Sequence, residues 1–500
     1  MNINFSLEQV LALADNHRVI PVVETVEIAD ETPVSVFEKL AADKPGSFLL
    51  ESAAQGVWSR YSFVGVNSRG MLSYDGKNTT WASEPSQSAL PTADALSANI
   101  LEALDQIVTG WTGEQVAGLP PLTAGMVGLI GWDMVRELEN LPNRPKPDFV
   151  APVVALVMFR DLVVFDHELG KLLLISNVFV AEQIDVSAEY ESAVNHIAEL
   201  KAGLGAKVAS VETSQASQTE IKPKLRTQKS DFLAAIEKAK HFVRIGDVFQ
   251  VVLAQRFDLE TNASPLEVYR ELRALNPSPY MYLLNFADSQ GEYAVVGSSP
   301  EALVNVQHGH AITHPIAGSR PRGKSPEEDQ SHADSLIEDA KERAEHLMLV
   351  DLARNDLLKV CQPSSVSVTE FMQIHKYSHI MHLVSTVEGE LRENQNAVDV
   401  FKATFPAGTL SGAPKPRALE IIDELEDANR GIYGGVVGYF DFAGNADLAI
   451  AIRTAFMRDG MAYVEAGAGL VLDSVPESEY QETANKAGAP LRAVASATRS

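Results

Sequence analysis

The sequence predicts a mixed α and β protein, and three observations carry that expectation. Apolar runs of strand length recur along the chain, VALVMF at 154–159 and KLLLISNVFV at 171–180 among them. Stretches with apolar residues three and four apart, such as SDFLAAIEKAKHFVRI at 230–245, intervene as amphipathic helices. The alternation in AIAIRTAFM at 449–457 suits an antiparallel strand with one face buried.

The elements follow in order. FLLES at 48–52 and the two runs above read as strands of an N-terminal region, 1–202. The segment 203–223, GLGAKVASVETSQASQTEIKP, is small, polar and aperiodic, so a linker is expected over 203–226. A second region is expected over 227–495. It opens with the helix at 230–245, then a strand at 248–257 (VFQVVLAQRF), a helix over Pro265–Leu275, and a strand pair at 280–286 and 293–299. Ser325-Pro-Glu-Glu328 has the pattern of a capping box with proline at the first helical position. The helix it opens is expected to run to about Val350. GGVVGYFDF (434–442), LAIAIRTAFM (448–457) and MAYVEAGAGLV (461–471) read as three further strands. Ser474-Val-Pro-Glu477 repeats the capping pattern and opens a last helix.

Composition narrows the function. The 500 residues carry a net charge of -26, which excludes nucleic acid and an anionic membrane surface as general partners. An anionic substrate then needs a locally basic or metal-filled site. Cys361 is the single cysteine, so disulfides and Cys-rich metal sites are excluded. Residues 1–17 lack a basic start followed by an apolar core, and no apolar run reaches transmembrane length. A soluble protein in the cytoplasm is expected.

Two Glu-x-x-Glu pairs, Glu342/Glu345 and Glu479/Glu482, fall on the expected helices. Residues three apart share a helix face, so each pair can aim two carboxylates at one point. Converging carboxylates repel unless a cation holds them, and a hard ion such as Mg²⁺ suits oxygen ligands. Spacing alone leaves open two solvated faces of an acidic chain. Gly318–Ser325 (GSRPRGKS) formally matches a P-loop, but its context is wrong. Pro326 and three acids, Glu327, Glu328 and Asp329, follow where a helix N-terminus should receive phosphate.

Several segments together resemble the chorismate-utilising enzymes: PIAGSRPRG (315–323), EHLMLVDLARNDL (345–357), MHLVSTVEGEL (381–391), FPAGTLSGAPKPRALEIIDELE (405–426), RGIYGGVVGYFD (430–441), IAIRTAF (450–456) and AGAGLVLDSVPESEYQETANKA (466–487). The resemblance is dense over 228–492 and weaker before it. It implies two stacked antiparallel sheets flanked by helices, the N-terminal regulatory region intertwined with the C-terminal chorismate-binding region. It implies Mg²⁺ as cofactor, with Glu345 and Glu482 as direct ligands and Glu342 and Glu479 behind them. It places Arg453 and Tyr433 on the enolpyruvyl carboxylate, and makes Gly318, Ser319, Gly467, Ala468 and Gly469 substrate contacts. Gly467 and Gly469 allow backbone N–H groups to approach an anion closely. Glu301 matches the acid that protonates the departing C4 hydroxyl, with His382, Thr409 and Lys486 as further catalytic residues.

Members of this family differ in nucleophile. Lysines serve isochorismate and salicylate synthases at the position of Gln250, and aminodeoxychorismate synthases at that of Ala317. With both lysines absent, ammonia is the expected nucleophile and anthranilate plus pyruvate the expected products. Cys361, in VCQPSS, is in no nucleophile-elbow context, so a separate glutamine amidotransferase subunit is implied, with two large and two small subunits in a heterotetramer. LLES (49–52) and NPSPYMYLL (276–284) resemble the family's tryptophan feedback site, with Glu51, Ser52, Pro279, Tyr280 and Met281 holding L-tryptophan. Alternatives are a synthase that stops at 2-amino-2-deoxyisochorismate, a non-catalytic regulator and, against its context, a P-loop protein.

Overall fold

The computed structural model describes residues 3–42, 44–53, 60–83, 96–111, 113, 116–181, 184–206, 222–376 and 380–498. Helices and strands are mixed along the whole chain, and every pairing between named strands is antiparallel. Among the described residues the strands are linked into one hydrogen-bonded network of 21.

The layers follow from what each core is made of. One cluster is drawn from strands and connecting loops alone. It includes Phe48, Phe159, Leu284, Tyr293, Val437 and Phe456, with Phe48 edge-on to Phe159 at 5.6 Å. Sheet therefore faces sheet across it with no helix between. Two larger clusters lie on the outer faces. In one, Phe232 and Ile236 of the Lys229–Ile245 helix meet Val251 and Leu253. In the other, Tyr269 and Leu272 of the Pro265–Leu275 helix meet Leu283 and Val296. Helices thus flank a double layer of sheet, as the resemblance implied.

The two halves of the chain interleave. The Ser47–Glu51 strand pairs with Tyr280–Asp288, Met281 opposite Glu51. The Gly125–Ile130 strand pairs with Val436–Asp441, Gly128 opposite Gly438. Most of the expected linker, 207–221, lies outside the described residues. Its start belongs to the end of the Val186–Leu204 helix, and Lys224–Leu225 pairs with the Gln250–Glu260 strand.

Three expectations need correction. The helix after Ser325 does not run on to Val350. It stops at Glu338, and a second helix, Ala340–Leu358, starts afresh with Asp339 as its N-cap. Ser474 is not a cap: Val475 holds that position, and the Ser474 hydroxyl accepts from the Val471 N–H. The expected strand 448–457 is two strands, Ala446–Ile450 and Thr454–Arg458. Between them Arg453 takes φ 52°, a left-handed conformation uncommon for a side chain of this size.

Candidate active site

Four structural devices bring the expected residues together. The first is the break at 451–453, where reversing the backbone turns Arg453 out of the ladder. No carboxylate lies within ion-pair distance of its guanidinium among the described residues. Burial lowers its affinity for a proton, opposed by Tyr433, Glu482 and Glu301 nearby. A half-buried cation with no direct ion-pair partner among the described residues suits an anion. Tyr433 is buried beside it, and its hydroxyl occupies the space that a Cβ at Gly467 would need.

The second is the pairing of Met461–Leu470 with Gln250–Glu260, which sets Gly467, Ala468 and Gly469 opposite Ala254, Leu253 and Val252. Gly469 leaves room for the Gln250 side chain, whose amide would collide with a Cβ there. The Gly467 carbonyl accepts from Lys486 Nζ at 3.0 Å.

The third is a bulge. The pairing of Ile316–Pro321 with Ile380–Glu390 shifts register between Ala317 and Ser319. The residue between them, Gly318, has φ 68°, and a Cβ there would lie 2.9 Å from both Glu342 Oε2 and Leu336 Cδ1. Its carbonyl, so turned, accepts from His382 Nδ1 at 3.0 Å. Burial pushes the His382 imidazole below its ordinary value, the Gly318 hydrogen bond opposing it.

The fourth is the short helical turn Gly408–Leu410. It carries the Thr409 hydroxyl, which donates to Glu301 Oε1 at 3.0 Å. Burial raises the Glu301 pKa to about 7, against the downward pull of Thr409, Lys486 and Arg453. The carboxyl therefore keeps a proton available near neutrality.

The two Glu-x-x-Glu pairs sit on Ala340–Leu358 and Pro476–Ala497, close enough for their charges to interact. Burial raises the Glu345 pKa; the Gln250 amide lowers it, and the Glu342 and Glu482 charges raise it again. Glu479 is raised likewise by burial and by Glu482, with a hydrogen bond from Ser474 opposing. The side chains do not yet form one ligand cluster. Glu482 is turned to Lys486 at 2.7 Å, and Glu342 to Arg320 at 3.5 Å. Among the described residues no three His, Cys, Asp or Glu groups already converge at metal-binding distance. The donor set still fits a hard divalent cation: oxygens only, few in number and mutually repelling.

Sequence reading missed what surrounds these groups. Gln250 Nε2 donates to Glu345 Oε1 at 3.2 Å, a contact spanning 95 residues with no local signature. Both arginines of 320–324 are also committed: Arg320 pairs with Asp339, and Arg322 with Asp329.

The expected inhibitor residues form a second cluster. Met281 pairs with Glu51, and the Ala53 N–H donates to the Ser278 carbonyl, which lays Ser52 alongside 278–281. The Ser52 hydroxyl is buried without a hydrogen-bond partner among the described residues. The Glu51 carboxylate is already engaged, accepting from Arg273 at 2.7 and 2.8 Å and from the Tyr269 hydroxyl at 2.8 Å. Tyr269 and Arg273 are four apart on one helix, a spacing visible in the sequence. Pro279 is half-buried at the strand entry, and Tyr280 hydrogen-bonds Asp447. Tyr280 and Met281 lie opposite Ser299 and Ser298, whose next contacts are the Ile450 and Arg453 carbonyls. Ser298, Ser278 and Asn276 form a hydrogen-bonded group beside them that sequence reading did not single out.

Residues 46–492 match the profile of the chorismate binding enzymes, and the chain belongs to that family. The solved structure of anthranilate synthase component I from Streptococcus pneumoniae has the same fold, with a TM-score of 0.75 and 34% identity over 93% of this chain and 99% of that one. Within the family the chain is similar throughout its length to anthranilate synthase component 1. It is 50% identical to that of Arthrobacter globiformis over 497 residues, 98% of this chain and 92% of the relative. It is 48% identical to that of Mycolicibacterium smegmatis over 499 residues, 98% and 94% of the two.

Proposed function

We propose that this chain is the synthase component that converts chorismate and ammonia to anthranilate and pyruvate, a lyase at the entry to tryptophan biosynthesis. The observation that carries the reading is Glu301, a carboxyl kept protonated near neutrality between Thr409, Arg453 and Lys486. Chorismate has a hydroxyl to be protonated and two carboxylates to be held. Arg453 and Tyr433 take the enolpyruvyl carboxylate, with Gly467, Ala468 and Gly469 lining the approach and Gly318 and Ser319 at the opposite wall. Glu345 and Glu482 would hold Mg²⁺, with Glu342 and Glu479 behind them. When bound, Mg²⁺ supplies the counter-charge that fixes the ring carboxylate. Glu301 then gives its proton to the leaving C4 hydroxyl, and His382 assists the later loss of pyruvate.

Gln250 and Ala317 offer neither a base for water nor an amine nucleophile, which leaves ammonia to attack C2. Neutral ammonia is scarce at pH 7, so a glutamine amidotransferase subunit is proposed to supply it. The term component 1 in the relatives' names supports such a partner. We assign two of each subunit to the complex, and L-tryptophan as inhibitor at Ser52, Pro279, Tyr280 and Met281. Glu51 shapes that site through its pairing with Arg273.

Incubating the pure chain with chorismate, Mg²⁺ and ammonium above pH 8 is expected to give fluorescent anthranilate and pyruvate. Accumulation of an aminated cyclohexadiene that keeps the enolpyruvyl ether, without pyruvate, would instead mark a 2-amino-2-deoxyisochorismate synthase. Glu345→Gln and Glu482→Gln should each abolish turnover; an unchanged Mg²⁺ titration in either variant removes it from the ligand set. Ser52→Phe should keep turnover and lose tryptophan inhibition. Equal inhibition of variant and wild type would move the inhibitor elsewhere.

A further inference from the structure

Resting on that reaction, we infer that Gln250 is the residue that holds the incoming ammonia. Gln250 opens its strand and is only 5 % exposed. Its Nε2 donates to Glu345 Oε1. Its Oε1 is buried with no hydrogen-bond partner among the described residues. Leaving a buried acceptor unmade is unfavourable, and such an atom in a native site calls for a reason. The arrangement around it is constructed for the purpose. Gly469, opposite Val252 on the neighbouring strand, has no Cβ and so admits the Gln250 amide that reaches across to it. The Glu345 carboxylate then fixes which end of the amide faces it, and the oxygen is left over.

That oxygen matches what the nucleophile lacks. Ammonia must keep its lone pair free to attack, so it can be held only through its N–H bonds, by an acceptor. An amide oxygen accepts without removing a proton. Water held at the same point gains no basicity, which disfavours hydrolysis. The location also fits. Glu345 is assigned to the metal that holds the ring carboxylate on C1, and C2 is the adjacent carbon. In the step itself the ammonia lone pair forms the C2–N bond. The ring double bonds shift as the C4–O bond breaks, and the hydroxyl takes the Glu301 proton and leaves as water. The nitrogen becomes cationic and sheds one proton to solvent. As its charge grows, the N–H···Oε1 hydrogen bond becomes charge-assisted and stronger. It therefore stabilises the transition state more than the bound ammonia.

The test is steady-state kinetics with ammonium as nitrogen source, on wild type, Gln250→Met and Gln250→Leu. Loss of a hydrogen bond to a group gaining charge should cost about tenfold to a hundredfold in kcat/KM for ammonia. The complex with chorismate and Mg²⁺, measured by calorimetry with no ammonia present, should bind within about threefold of wild type. Either variant showing ammonia kinetics like the wild type overturns the inference. So does a loss confined to chorismate and Mg²⁺ binding, which would leave Gln250 as a support for Glu345 alone. A wild-type protein that forms no anthranilate under these conditions would instead sink the proposed reaction itself.

Discussion

Glu301 shows how a single residue trades stability for chemistry. Its carboxyl is held near 7 where an exposed glutamate would sit at 4.5, burial being the cause. Between those values the folded chain keeps a proton that the unfolded chain releases. The contribution of Glu301 to stability is therefore greatest below pH 4.5, falls as pH rises from there to about 7, and is level above. Glu301→Gln, which cannot ionise, should unfold at higher urea than the wild type at pH 8. The gain is on the order of 3 kcal/mol, at about 1.4 kcal/mol for each pH unit of displacement. It should show no advantage at pH 4 and should lose turnover throughout. In the wild type, kcat/KM for chorismate at fixed free ammonia should decline above pH 7 as the acid is lost. A flat profile there would remove Glu301 from the acid's role. The candidate site residues were legible through the family resemblance, since spacing alone left the Glu-x-x-Glu pairs open to a reading as solvated helix faces. The backbone at Arg453 was not. IAIRTAF reads as uninterrupted alternation, and a left-handed residue within it leaves no trace in the pattern.

At the scale of elements, the Lys229–Ile245 and Pro265–Leu275 helices were legible nearly to the residue, while the division of 326–358 into two helices was not. Pro326 and Pro476 both mark true first turns, yet the break at Asp339 was read through. The reason is local: Asp339 sits in an acidic, helix-compatible run, and only its capping geometry separates two helices. Its carboxylate accepts from the Lys341 and Glu342 N–H groups and pairs with Arg320 at 2.9 Å. The break therefore aims the second helix, and with it Glu342 and Glu345. Asp339→Ala should lower stability by about 1 kcal/mol in urea unfolding. It should also weaken the apparent Mg²⁺ affinity in a titration of activity. Loss of stability with an unchanged Mg²⁺ titration would make the cap a support for folding alone. The bulge at Gly318 acts in the same way on the facing wall. A Gly318→Ala variant meets both a left-handed φ and the Glu342 carboxylate, and should raise the KM for chorismate.

At the scale of the whole molecule, the layer order was legible through the resemblance, while the interleaving shows only in the strand register. Two apolar strands look the same whether they pair with a neighbour or with a segment more than 200 residues away. The pairings of Ser47–Glu51 with Tyr280–Asp288 and of Gly125–Ile130 with Val436–Asp441 are of the second kind. We propose that 1–202 and 227–495 are regions of one cooperative unit. Cutting the chain at a protease site engineered between 207 and 221 should leave two fragments that co-elute in native buffer and part only in denaturant. Fragments that separate freely would show each region to be self-sufficient.

The same shared strands bear on how the chain is made. During synthesis the Ser47–Glu51 and Gly125–Ile130 strands emerge long before their partners. Until residues near 280 and 436 arrive, each offers an open edge to any passing chain. Contacts so distant in sequence close slowly. The newborn N-terminal half is then the stage at which aggregation competes with folding, and at which a chaperone would have most effect.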